Sequence, residues 1–96
     1  MPRENVLNQQ HKIEIEQLMR GKQFDKALEN LASILNGDVN NIDAHYYSSV
    51  CLRYLGRLDE ALASLKALRK IAPNFGRALQ EEGHVHRDRG NLKHAL

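Results

Sequence analysis

The heptapeptide Gly56-Arg57-Leu58-Asp59-Glu60-Ala61-Leu62 is one of three versions of a single phrase. The others are Lys22-Gln23-Phe24-Asp25-Lys26-Ala27-Leu28 and Gly90-Asn91-Leu92-Lys93-His94-Ala95-Leu96. Ala27, Ala61 and Ala95 stand 34 residues apart (61 − 27 and 95 − 61), and the same step links Leu28, Leu62 and Leu96, as well as Phe24, Leu58 and Leu92. Self-similarity at a fixed period of this size marks a stacked array of one small unit, each copy of which buries its apolar face only against its neighbours.

Forward of the phrase, Leu58, Ala61, Leu62, Leu65, Leu68 and Ile71 recur at steps of three and four, which predicts a helix that stops before Pro73. Asp59 and Glu60 suit its first turn, and Lys66, Arg69 and Lys70 lie toward its C-terminal end. Behind the phrase, Ile42 to Leu55 reads as a helix presenting Tyr47, Val50, Cys51, Tyr54 and Leu55, with Ala44, Ser48 and Ser49 small enough to admit a close neighbour. Gly56 ends it.

The preceding copy repeats the pattern. A helix from about Gln23 to Leu35 carries Phe24, Ala27, Leu28, Leu31, Ile34 and Leu35, and an uninterrupted segment between Arg3 and Arg20 predicts the helix before it, ending at Gly21. Asn36-Gly37-Asp38 supplies a turn, and Asn40-Asn41 an N-cap. Asn74 is the expected cap of a fifth helix that includes Ala78, Leu79, Gly83 and Val85 and ends near Gly90; a sixth is expected from Asn91. No segment alternates with the two-residue period of a strand, so the class is all-α, built of antiparallel helical hairpins.

Length and composition fit one soluble domain: 96 residues, 42% hydrophobic and 27% charged. The net charge of +2 is uneven, with five Lys/Arg against seven Asp/Glu in residues 1–52 and nine against five in 53–96. The signs are interspersed, which describes a solvated helical surface better than a polyanion-binding one. Cys51 is the only cysteine, so no intrachain disulfide forms. Met1 to Gln10 lacks the apolar core of a signal peptide and no apolar run approaches membrane-spanning length, which predicts a cytoplasmic chain outside the membrane.

Helix, glycine turn, helix and proline at 34 residues per unit resemble the tetratricopeptide repeat. The matching residues are Gly56, Ala61 and Pro73 in the second unit and Gly83, Gly90 and Ala95 in the third. The first unit keeps Phe24, Ala27 and Leu28 but has Gly21 one residue early and Val39 where proline is usual. Other positions depart from the pattern: the usual bulky aromatic of the first helix is replaced by His11, His45 and Leu79, and the small close-packing position holds Ile15, Ser49 and Gly83. The resemblance implies a single domain over 1–96, with repeats at about 8–41, 42–75 and 76–96, the last truncated, stacked as a right-handed solenoid. More loosely, Val50 to Arg57, Phe75 to Ala78 and Gln80 to His84 look like the repeat region preceding the catalytic domain of some bacterial sulfotransferases. On that alternative the chain is the non-catalytic N-terminal part of a larger enzyme.

The family architecture implies a concave groove, lined by the first helix of each hairpin, that binds a protein or peptide. The register turns Gln9, Lys12, Glu16, Met19 and Arg20 of the first unit, Asp43, Tyr46, Tyr47, Val50, Arg53 and Tyr54 of the second, and Arg77, Gln80, Glu81, His84, Arg87 and Asp88 of the third toward it. Tyr and Arg dominate binding hot spots, which favours the cluster on the third helix; Tyr47 and Tyr54 fit inter-repeat packing as well. The clamp that some relatives use for a C-terminal carboxylate is not expected, because Glu16, Tyr47 and Glu81 replace the two Asn and the Arg it needs.

No constellation predicts catalysis, a metal or a cofactor. His84 and His86 diverge by about 200° on a helix, and His11 and His45 lack a third ligand. Cys51 has apolar neighbours and reads as a buried thiol. Glu81 and Glu82 diverge by about 100°. A nucleic-acid surface through Arg53, Arg57, Arg69, Lys70, Arg77, Arg87 and Arg89 is disfavoured by the intervening Asp59, Glu60, Glu81, Glu82 and Asp88. The short stretch Leu92–Leu96 predicts self-association through the C-terminal end.

Overall fold

Each of the two inter-helix turns inside a hairpin is closed by one residue in the left-handed region. In the computed structural model, which describes residues 6–95 of the chain and the side chains of 6–90, these residues are Gly56 with φ 79° and Lys22 with φ 60°. They stand 34 apart (56 − 22) and close the same motif. Gly56 N–H donates to the Arg53 carbonyl and Arg57 N–H to that of Leu52; Lys22 N–H donates to Met19 and Gln23 N–H to Leu18. These are the paired bonds of a Schellman C-cap, satisfying carbonyls the helix leaves open.

A lysine held there costs about 1 kcal/mol that glycine avoids. We expect Gly56→Ala to lower the unfolding free energy by about 1 kcal/mol and Lys22→Gly to raise it by about 0.5 kcal/mol, strain relief being partly offset by a freer unfolded chain. Urea unfolding of both variants checks this. A Lys22→Gly chain less stable than the parent contradicts a strained turn.

The helices are α1 (Gln9–Arg20), α2 (Phe24–Gly37), α3 (Ile42–Tyr54), α4 (Leu58–Ile71) and α5 (Gly76–Ala95). α1 is shorter than expected because Asn8 caps it, its side-chain oxygen accepting from His11 N–H at 2.8 Å. The residues before the cap turn inward: Leu7 is buried and its N–H donates to Asp43 Oδ2 at 3.1 Å. Asn41 caps α3 in the same way, accepting from Ala44 N–H at 2.9 Å.

The expected break at Gly90 is absent. α5 runs unbroken through it to Ala95, so the separate sixth helix does not form. A lone glycine in a helix costs about 1 kcal/mol, comparable to one hydrogen bond lost by turning, so glycine permits a turn without enforcing one. The side chains of Leu92–Leu96, on which the predicted self-association rests, lie outside the described residues.

α3 packs on α2, α4 and α5, and the core falls into two clusters on its two sides. One gathers Leu7, Ile15, Ala27, Leu31, Ala44, Tyr47 and Cys51; the other gathers Leu52, Leu58, Ala61, Leu65, Leu68, Ala78 and Val85. The clusters repeat in register. Ala27 and Ala61, Leu31 and Leu65, Ala44 and Ala78, and Cys51 and Val85 are each 34 apart, and all are buried. The result is elongated, 49 × 30 × 19 Å, as stacking in one direction requires. Among the described residues no helix is long and apolar enough to cross a membrane.

Candidate functional site

α1, α3 and α5, the first helices of successive units, are joined side by side by polar bonds. Tyr47 on α3 donates its hydroxyl to Glu16 Oε2 on α1 at 2.7 Å. Arg53 on α3 reaches the other way to α5, with Nε 2.5 Å from Glu81 Oε2 and Nη1 3.4 Å from Asp88 Oδ2. Glu81 is only 2% exposed, so its charge is held inside the molecule by Arg53.

The predicted groove residues therefore divide by role. Tyr47 and Val50 are buried, and Arg53 is tied into its ion pair. Burial, then the Glu16 carboxylate, push the Tyr47 phenol well above its ordinary value, so it stays a hydrogen-bond donor. Tyr46 is half-buried and raised likewise, by burial and then Glu81, against the opposing pull of Arg77. Tyr54, Arg77, Gln80 and Arg87 are exposed, and Lys12, Glu16 and His84 are partly so.

Every aromatic residue of the chain lies in one of two stacks here. Tyr54 lies parallel to Phe24, with ring centroids 4.8 Å apart and planes 4° apart, and the Arg53 guanidinium lies 4.7 Å from the Tyr54 centroid. Tyr46 meets Tyr47 at 5.6 Å and Phe75 edge-on at 5.9 Å, with Arg77 5.2 Å from its ring. Tyr54 remains 59% exposed. It forms one wall of a slot of about 410 Å³ between α1, α3 and the start of α2, lined also by Glu16, Met19, Arg20, Lys22, Phe24, Tyr47 and Val50.

Sequence reasoning placed Tyr54 and Val50 in the groove but took Phe24 as packing and passed over Lys22. The available signal was size: the position holding Phe24 has leucine in the other two copies, and Leu58 there is buried. A phenylalanine fills that position and still offers a face to Tyr54.

Two other hollows are larger and chemically different. One, of about 610 Å³, lies beside α1 and α2 and mixes the polar His11, Glu14, Asn30 and Asp38 with the apolar Val6, Leu7, Ile15 and Ile34. The other, of about 650 Å³, lies between α2 and α4 on the opposite side of the molecule and has no aromatic in its lining. Neither gathers the aromatic and arginine side chains that anchor partners.

The remaining candidates have structural employment. Burial pushes the Cys51 thiol up to about 12, which makes it inert at neutral pH. His45 donates Nε2–H to the Val39 carbonyl at 2.8 Å. Among the described residues no group of three His, Cys, Asp or Glu side chains converges on a metal position. Arg57 pairs with Glu60, Arg69 with Glu82, Arg87 with Asp88 and Arg89 with Asp59, so the basic residues weighed for nucleic acid are largely matched by carboxylates.

Searches of curated proteins and of solved structures returned no match. A family model described as Tetratricopeptide repeat matches residues 18–82, well over half of the chain. That span covers α2 to α4 with the end of α1 and the start of α5, the region where the 34-residue register and the buried alanines coincide. On the repeat, the hairpins and the family match together, the chain belongs to the tetratricopeptide repeat family.

Proposed function

We propose that this chain is a non-catalytic interaction module that binds a peptide or an extended segment of a partner protein in the groove along α1, α3 and α5. Tetratricopeptide repeats mediate protein–protein interaction, which gives the class of partner. The observation that supports this groove over the other surfaces is Tyr54, an exposed, stacked aromatic at the wall of an apolar slot. Large rigid side chains at such positions contribute contact area at little entropic cost. Tyr54, Arg77 and Gln80 are the accessible contacts; Tyr47 and Arg53 support them from below.

The alternative of a region ahead of a catalytic domain rests on the likeness noted above. Several of the residues carrying it, Val50, Arg53 and Glu81 among them, pack or pair between helices here. A likeness in packing residues speaks to the repeat and not to an attached activity.

Panning a displayed random peptide library against the chain tests the groove. Binders should lose about tenfold or more in affinity for the Tyr54→Ala/Arg77→Ala/Gln80→Ala variant, with helicity unchanged, and little for Glu29→Ala/Lys66→Ala on the other face. The reverse pattern would move the binding surface away from this groove.

A further inference from the structure

We infer that the segment seated in the slot beside Tyr54 is acidic: an internal stretch of a partner with one aliphatic or aromatic anchor flanked by Asp or Glu. This rests on the groove reading above and adds the chemistry of the partner.

The charge state of the groove carries it. Lettered along the sequence, the groove holds acids and bases alike, and a carboxylate-bearing partner looks disfavoured. The structure changes the balance. Glu16 accepts the Tyr47 hydroxyl at 2.7 Å, Asp43 accepts the Leu7 N–H at 3.1 Å, and Glu81 and Asp88 are bonded to Arg53. Glu81 and Asp88 are thus matched by the Arg53 cation, while Glu16 and Asp43 accept from neutral donors and keep their charge. Among the described residues the two cations of the slot, Arg20 and Lys22, have no carboxylate within ion-pair distance.

Arg20 and Lys22 are exposed and belong to the slot lining itself, on either side of the turn that ends α1. Asp25, three residues from Lys22, lines the opposite hollow, and Glu16, four residues from Arg20, lies in the slot with its carboxylate on the Tyr47 hydroxyl. The slot therefore combines an apolar floor of Met19, Phe24 and Val50 with two cations that have no ion-pair partner among the described residues, and these outnumber the single carboxylate of its lining, Glu16. A volume of about 410 Å³ suits one large side chain and its neighbours, with the flanking carboxylates falling on the rim. A nucleic acid shares the charge but not the fit, because its phosphates would run on past the slot to α5, where the cations are paired.

The test uses short peptides acetylated and amidated at their ends, so that no chain terminus contributes charge. Titrations followed by the Met19 and Val50 methyl resonances compare Asp-Glu-Leu-Glu-Asp with Lys-Lys-Leu-Lys-Lys, with Asp-Glu-Ser-Glu-Asp and with a short oligothymidylate. The acidic leucine peptide should bind in the millimolar range or tighter, about tenfold ahead of each of the others, and weaken as salt is raised. Arg20→Glu/Lys22→Glu should remove that preference, and Tyr54→Ala should remove binding, both without loss of helicity.

Equal or tighter binding of the basic peptide or the oligothymidylate overturns the inference, as does an absence of methyl shifts at about 5 mM acidic peptide. If that happens while library-selected binders still depend on Tyr54, Arg77 and Gln80, the groove reading stands and only its acidic partner falls. If those binders ignore the groove, both fall together.

Discussion

Replacing Leu65 by alanine is expected to lower the unfolding free energy by about 4 kcal/mol, several times the effect expected at the Gly56 turn. Leu65 is fully buried, at the centre of a cluster with Leu52, Leu58, Ala61, Leu68, Ala78 and Val85. Removing it forfeits about 2 kcal/mol of transfer free energy. The rest is the cavity, because neighbours fixed on α3, α4 and α5 close over it only in part. A domain of this length has about 5–14 kcal/mol of stability in all, so the variant should unfold well below the parent's midpoint in urea.

Leu79 gives the internal comparison. It is the same residue type, 55% exposed, and Leu79→Ala should change stability by less than about 0.5 kcal/mol. Urea titrations of both, followed by helical ellipticity, separate burial from helix propensity. A Leu65→Ala midpoint close to that of Leu79→Ala contradicts the packing described here.

The contrast between these two leucines also shows which parts of the fold a linear reading reaches. Apolar spacing and the 34-residue step identify Leu31 and Leu65, and Ala27 and Ala61, as equivalent, and both pairs are buried in equivalent places. Those residues depend on neighbours three, four or 34 positions away, distances that the sequence itself displays. Gly90 was read by analogy with Gly56 and behaves otherwise. The turn at Gly56 is held by what α4 buries against α3, whereas the glycine supplies only permission. The start of α1 was misjudged for a related reason: nothing in its helical periodicity revealed that Asn8 would act as a cap and turn Leu7 inward.

The site was legible to a different depth. Register put Tyr47, Arg53 and Tyr54 on one face, but it could not say which of them has a partner. Glu16 lies 31 residues from Tyr47 and Glu81 lies 28 from Arg53, neither at the repeat spacing, so no period exposes the pairing. The same blindness made the groove's acids look free. Only once Glu81 and Asp88 are seen paired with Arg53 do Arg20 and Lys22 stand out, among the described residues, as the cations without an ion-pair partner beside the slot, which is the basis of the acidic-partner proposal.

Arg53 supplies the second large effect. Arg53→Met should cost about 3 kcal/mol and lower the thermal midpoint by about 15 °C, because Glu81 is left buried without its cation. Glu81→Leu should cost less, about 1–2 kcal/mol, since the Arg53 guanidinium retains Asp88, whose side chain is 30% exposed. The double variant should recover to within about 1 kcal/mol of the parent, because methionine on leucine replaces a desolvated ion pair by an apolar contact of similar volume. Thermal unfolding of the four chains completes the cycle. If Arg53→Met melts within about 3 °C of the parent, water reaches the pair and it is not a strut. If the double variant is as unstable as the two single changes added together, the pair contributes no coupling at all. The outcome also fixes how groove substitutions are interpreted. Loss of binding on changing Arg53 reports the α3–α5 junction, and only the double variant, stable again but without the charge, shows whether a partner touches Arg53 itself.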